Sequence, residues 1–447
     1  MLSRLSRARP RFQGLWRHPD FLKLWAGQSV SVFGTLITKV ALPIVAVLTL
    51  HANAAQVALI YAAQVVPTLA FGLAAGALAD RVRRRPLLIA ADAGRALALA
   101  SVPLAAVFGA LSLNLIYAVT LVTSALSALF DIAYPAYLPG LVGDERLLEG
   151  NAKLGASMSI AEVAGFGLAG TLVQALTASG AILVDIATYV ASVVSLVLIR
   201  AREPAPQRQH GGEHGPTLAR LREEIIEGMR LTWRHPTRRA LAGVALVQAL
   251  CAGMLETALY IYILRDLHLP PAIMTATFGV GGAAAFLGAT LTERISQRLG
   301  MRRTLRLSAL LGAAFAVLIP LASGPLWLVI ACLVGTQLGD AAYIVYDIAQ
   351  VTTLQRVSPS GALGRINASV RFVAGLATLA GLALGAALTP WLGARGDLFV
   401  ATLGMLLGPL WLILERIAPD DAPLDDAEAE EMSVTAQSET AGNILSS

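Results

Sequence analysis

Only two of the 447 residues are cysteine, and both, Cys251 and Cys332, sit inside apolar stretches. Two isolated thiols make neither a disulfide framework nor a metal-ligand spacing, and in such surroundings a thiol packs as a small hydrophobe. Charge is also scarce. Asp, Glu, Lys and Arg supply 14% of the chain against 56% hydrophobic residues, and the mean hydropathy is +0.67, whereas a soluble domain carries about 25% charged residues. The chain therefore reads as a membrane protein. No G-x-x-x-x-G-K-[ST] run is present to cradle nucleotide phosphates. The Gly279-Val280-Gly281-Gly282 run lies within an apolar stretch with no strand before it, so it is not a dinucleotide loop. No nucleophile motif or catalytic pairing is visible, and the six histidines fall mainly at loops or at the ends of apolar stretches. The expectation is no catalytic residue, no metal and no cofactor.

What is abundant is apolar sequence of spanning length. Stretches of roughly 18 to 28 residues, enough for a helix to cross a hydrocarbon layer of ~30 Å, begin near residues 22, 55, 86, 113, 152 and 180, and again near 237, 271, 303, 325, 364 and 397. A segment in lipid must satisfy its own backbone polar groups, so each is read as an α-helix. The chain is also written twice. Trp16-Arg17-His18-Pro19 returns as Trp233-Arg234-His235-Pro236, Asp131-Ile132-Ala133 returns as Asp347-Ile348-Ala349, and Asn151-Ala152 returns as Asn367-Ala368, all at nearly one spacing. Twelve transmembrane helices in two six-helix halves follow, and an internally repeated membrane chain points to a transporter.

Arginine sets the expected orientation, because basic residues near span ends stay cytoplasmic. Arg4, Arg7, Arg9, Arg11 and Arg17 precede span 1, Arg81, Arg83, Arg84 and Arg85 follow span 2, Arg294, Arg298, Arg302 and Arg303 follow span 8, and nine more lie between Arg200 and Arg239. The opposite side carries Arg265 and Arg395. Both termini are expected in the cytoplasm. The pI of about 9.4 then reflects topology rather than a nucleic-acid footprint. With no apolar core and small-residue cleavage site among the first residues, span 1 is read as uncleaved. The expected organisation is a basic N-terminus (1–21), a six-helix half (22–200), a linker with an amphipathic helix (201–236), a second half (237–416) and an acidic, disordered tail (417–447). Leu218, Leu221, Ile225 and Met229 give the linker helix its apolar stripe.

Gly76-Ala77-Leu78-Ala79-Asp80-Arg81-Val82-Arg83-Arg84-Arg85 resembles the G-x-x-x-D-R-x-G-R-R loop of the major facilitator superfamily, with Arg83 at the place of the signature's second glycine. A degenerate copy runs from Gly288 through Glu293-Arg294 to Arg302-Arg303. Phe33 to Pro43, and Glu227-Gly228-Met229-Arg230 through His235-Pro236, resemble the macrolide-efflux and siderophore-export branch of bacterial facilitators, over residues 16 to 416. The resemblance implies an all-α membrane fold whose halves are related by a pseudo-two-fold axis, in a bacterial cell (inner) membrane. It also implies a conformational latch: Gly76, Asp80 and Arg81 in the loop, Arg84 paired with Asp131, and Arg298 or Arg302 paired with Asp347.

Ionisable groups at membrane depth cost roughly 2.5 to 3.5 kcal/mol each even on the lenient insertion scale, so each is a functional candidate. Lys39 in span 1, Glu162 in span 5, Asp185 in span 6, Glu256 in span 7 and Asp340 in span 10 stand out. Lys39 and Glu256 are repeat-equivalent and opposite in charge, the makings of an outer gate. Glu162 and Asp340 lack acidic counterparts, since the repeat puts Thr378 and Ser124 there. A buried carboxylate can exchange a proton for a cationic substrate, and Tyr343, near Asp340, adds an aromatic face. Asp185, on an outer helix, reads as structural. The favoured reading is a proton-coupled exporter of amphipathic drug-like or siderophore-like molecules by alternating access. Its partners are a small-molecule substrate, protons and the bilayer, with no nucleic acid, and a monomer suffices. The alternatives are a nutrient importer and, from another class, a receptor or enzyme on the same scaffold.

Overall fold

The computed structural model describes residues 14–79, 83–143, 146–201, 218–359 and 362–415. The expected tail and most of residues 1–21 and of the linker up to 217 lie outside them. The described residues form helices joined by short turns: α1 (Pro19–Ile44), α2 (Ala54–Ala79), α3 (Arg84–Val107), α4 (Leu113–Val142), α5 (Leu147–Leu176), α6 (Ala178–Leu198), α7 (Leu218–Arg234), α8 (Pro236–Ile261), α9 (Pro271–Leu299), α10 (Met301–Ala316), α11 (Leu318–Leu321), α12 (Leu326–Val357), α13 (Leu363–Met405) and α14 (Gly408–Leu414).

The doubled Trp-Arg-His-Pro is a helix start used twice. His18 caps α1 by accepting the Phe21 N–H at 3.1 Å, and His235 caps α8 by accepting the Thr237 N–H at 3.2 Å. The proline that follows each occupies the first helical turn, where its missing N–H costs nothing. Each tryptophan meets a second one edge-on, Trp16 with Trp25 and Trp233 with Trp411. The repeat is equally visible where these helices end. α1 runs into a π-turn at Val45–Thr49, and α8 runs into one at the equivalent place, Tyr262–Asp266. His51 and His268 then take φ of 53° and 52°, in the left-handed region. Thr177 (φ 66°) ends α5, and its counterpart in the repeat, Gly393 (φ 71°), breaks α13.

Ten helical stretches among the described residues are long and apolar enough to cross a membrane, rather than the twelve expected. The difference has two local causes. Leu363–Leu414 is one 52-residue stretch that covers expected spans 11 and 12 and turns at Gly393. The shorter apolar stretch Ala164–Leu176 of α5 stands at expected span 5. The spanning helices are apolar outside and mixed inside. On α3, Leu97, Leu104 and Val107 are exposed while Asp92 and Arg95 are buried, the arrangement expected where lipid surrounds the protein.

Two compact units result. One comprises Met1–Ala52, Ala63–Gly215 and Leu269–Gly279, the other Asn53–Ala62, Pro216–His268 and Val280–Ser447. Each unit therefore takes the first turns of a helix whose remainder belongs to the other. The start of α9 packs on α5 in the first unit, where Thr275 Oγ1 accepts the Gly170 N–H at 3.0 Å. In the second unit, the start of α2 brings Tyr61 to α8. The linker helix α7 is tied to α13 by an Arg365–Glu227 ion pair of 2.7 Å.

Candidate functional site

In the first unit, two polar stripes face each other. On α6, Asp185, Thr188, Tyr189 and Ser192 recur at spacings of three and four residues, and on α1 Gln28, Ser31, Thr35 and Thr38 do the same, so each set lies on one helix face. The stripes interlock: Gln28 Nε2 reaches Ser192 Oγ at 3.3 Å, and Thr35 Oγ1 lies 2.8 Å from the Tyr189 hydroxyl. Gly34 makes the approach possible. A Cβ there would press on Thr188 Oγ1 and come within 2.9 Å of the Asp185 Cα.

A charged group from α3 joins these stripes. Arg95 pairs with Asp92 one turn earlier on the same helix, and Ser192 Oγ donates to the other Asp92 oxygen at 2.6 Å. The guanidinium lies between two rings, 4.6 Å from the centroid of Phe130 and 4.5 Å from that of Tyr189, and it donates to Ser127 at 3.3 Å. Asp92 and Asp185 are fully buried and Arg95 is 5% exposed. Thr188 Oγ1 donates to Asp185 Oδ1 at 3.2 Å, and the buried Thr38 hydroxyl lies beside the same carboxyl.

Asp131, on α4, is exposed, and the cations within its electrostatic range are Arg95 and Lys39. Asp131 lies about two-thirds along α4 rather than at its end, while Arg84 donates to the Ala136 carbonyl at 2.6 Å. Lys39 is the exposed member of an otherwise buried run from Leu36 to Ala41. Gly76 falls on α2 and Glu162 on α5; Asp80 and Arg81 lie outside the described residues.

The second unit is built more sparely. Asp340 and Gln337, on α12, lie against Gly281 of α9, whose missing side chain leaves room for the Asp340 carboxylate. That close approach gives the glycine run a packing role. Asp340 is half-buried and Tyr343 is 50% exposed. Asp347 accepts from Gln350 Nε2 at 3.1 Å, and Arg298 and Arg302 are exposed. The Tyr61 hydroxyl hydrogen-bonds to Glu256, half-buried on α8, and to Tyr260. Asp397 is fully buried, receives the Thr389 hydroxyl at 3.1 Å and leaves Oδ1 unpartnered.

Sequence reasoning missed three of these groups: Asp92, Arg95 and Asp397. The rule that singled out five intramembrane charges applies to them equally, and Asp92 and Arg95 carry the three-residue spacing of a helical ion pair.

The family model of the Major Facilitator Superfamily matches residues 24–373. The multidrug efflux pump Tap of Mycolicibacterium fortuitum is 28% identical over 415 residues, covering 90% of this chain and 97% of that protein. The uncharacterized MFS-type transporter YfiS of Bacillus subtilis (strain 168) is 24% identical, over 89% of this chain and 93% of its own length. Among solved structures, the nucleoside transporter NupG superposes with a TM-score of 0.71 at 10% identity, covering 88% of this chain and 98% of that one. A bacterial homologue of the iron transporter ferroportin in an inward-facing state gives 0.68 at 17% identity, covering 90% and 99%. At these identities the two structures speak for the fold alone.

Proposed function

The chain belongs to the Major Facilitator Superfamily, and from that premise we propose that it is a proton-coupled exporter of amphipathic drug-like molecules, working in a bacterial cytoplasmic membrane with both termini inside. The observation that carries the direction of transport is the similarity to a multidrug efflux pump along 90% of the chain. The site chemistry supports the coupling. Asp340 is a half-buried acid beside an exposed aromatic ring, Tyr343, and such a carboxylate can hold either a proton or a cationic substrate, which makes the two compete. Glu162, on α5, is proposed for the same work. Lys39 and Glu256, oppositely charged at equivalent places in the repeat, make the two units' contributions to the substrate path unlike.

The test is transport in everted membrane vesicles with a fluorescent lipophilic cation as probe. Wild-type vesicles are expected to accumulate the probe when an inward-acid gradient is imposed and to release it when the gradient is collapsed. Asp340→Asn and Glu162→Gln are expected to lose gradient-driven accumulation. Accumulation that ignores the proton gradient would overturn the coupling, and accumulation only in right-side-out vesicles would reverse the direction.

A further inference from the structure

We propose that Asp185 is a proton-binding site of the first unit: its carboxyl carries a proton within the buried cluster it forms with Asp92 and Arg95. The proposal rests on the proton-coupled reading above and adds a position to it, on a helix to which only a structural role was expected to fall.

The argument is one of charge and burial. Asp92, Arg95 and Asp185 are each more than nine-tenths buried. One guanidinium cannot neutralise two carboxylates, and Arg95 is already committed to Asp92, whose second oxygen is held by Ser192. The exposed neighbours do not alter the sum, because Lys39 and Asp131 cancel. With every acid ionised, the group would retain one uncompensated negative charge in a setting where an unpaired ion is strongly disfavoured. A single proton removes it.

Geometry selects the place. Asp92 is held by a cation, Arg95, and by Ser192, whereas the side chains that hold Asp185 among the described residues are the hydroxyls of Thr188 and Thr38. Beside it lies the buried Thr38 hydroxyl. The Thr38 hydroxyl can donate to the ionised carboxylate or accept from the protonated one, so it serves both states, and neither contact brings a cation to Asp185. Gly34 keeps the carboxyl pressed to α1, with Oδ1 2.6 Å from where a Cβ would stand. The titratable and charged groups around Asp185 are Lys39 from α1, Asp92 and Arg95 from α3, Asp131 from α4 and Tyr189 from α6 itself, and α5, which packs on both α1 and α6, carries Glu162. Arg95 is the one positioned to stabilise the ionised form once the proton leaves, since it stands within range of both buried acids.

Asp185→Asn fixes the neutral form and tests the idea in proteoliposomes holding the full chain. Counterflow of the lipophilic cation down its own gradient is expected to persist, with loss of accumulation driven by a proton gradient. In the infrared, wild type is expected to show a protonated carboxyl C=O band at neutral pH that Asp185→Asn lacks. Undiminished gradient-driven accumulation in the variant, or an unchanged carboxyl band, overturns the site. If wild-type accumulation itself is indifferent to the proton gradient, the proton coupling of that reading fails, and the band comparison still decides whether Asp185 holds a proton. Should Asp185→Asn not fold, Asp185→Glu keeps a carboxyl and is expected to displace the band while retaining accumulation; a band left in place overturns the site.

Discussion

The two units share a scaffold to the level of individual caps and turns, yet their interiors are electrostatically unlike. In the first, α3 contributes an Asp92–Arg95 pair clamped between Phe130 and Tyr189. At the equivalent positions of the repeat, α10 offers Ser308 and Leu311, and the Ser308 hydroxyl merely donates to the Thr304 carbonyl on its own helix at 2.6 Å. Duplication thus conserved what the backbone requires, and the side chains that carry charge diverged. A transporter that must do different things on its two sides needs such a difference, because identical halves would offer proton and substrate identical sites.

Removing Arg95 is the sharpest way to break this comparison. Arg95→Leu leaves Asp92 buried beside Asp185 with no cation, and losing one partner of a buried pair costs about 3 to 5 kcal/mol. Ser308→Ala removes one intrahelical hydrogen bond, for a cost of at most about 1 kcal/mol. Thermal unfolding of the purified protein is expected to show a much larger fall in Tm for the first. Equal shifts would mean that the charged cluster is no more important to its unit than the serine is to the other.

A smaller effect separates the two glycines that seat acids. A Cβ at Gly34 meets the α6 backbone, which cannot step aside, so Gly34→Ala is expected to force α1 and α6 apart at the overpacking cost of about 1 to 3 kcal/mol. At Gly281 the added methyl meets only the ends of the Asp340 and Gln337 side chains. Those can rotate, so Gly281→Ala is expected to keep its Tm and instead weaken cation transport by turning Asp340 away. Measuring Tm and vesicle transport for both variants distinguishes the two. A Gly281→Ala protein that lost stability and kept transport would make Asp340 a packing residue.

How much of this was legible in the sequence depends on how local the cause is. The helix starts were, because His18-Pro19 and His235-Pro236 act on N–H groups two or three residues away. The paired π-turns and the left-handed His51 and His268 follow the same repeat, although no single residue announces them. The place of Asp131 was readable from its repeat with Asp347, but its electrostatic partners were not. They come from α1 and α3, and only tertiary packing decides which of several arginines a carboxylate meets. Asp92 and Arg95 were readable and overlooked. Their i, i+3 spacing inside an apolar span marks a pair that can enter a membrane at reduced cost. Asp185 was visible as a residue but its setting was not, because nothing in the sequence shows that Gly34 and Thr38 lie against it.

The smallest expected effect asks whether the units also differ at their rims. In the first, Glu149 accepts the Leu15 N–H at 3.0 Å and the Lys153 ammonium at 3.1 Å, and these hold its carboxyl below the ordinary value of 4.5. In the second, Glu415 is gripped through two 2.7 Å bonds by Arg239, and that grip lowers its carboxyl likewise. A folded-state value below the unfolded one means stability that is fully present above the ordinary glutamate range and is lost as the pH falls through the lowered value. Glu149→Gln and Glu415→Gln are therefore expected to lower Tm slightly at neutral pH, and the gap to wild type should close on acidification. Both groups are open to solvent, so the gaps should be small and should shrink further in high salt. Matching curves would place the asymmetry of the molecule wholly in its interior, whereas a gap for one variant alone would extend it to the ends of the helices. A gap that widened on acidification would show that neither carboxylate is held in its ionised form by these contacts.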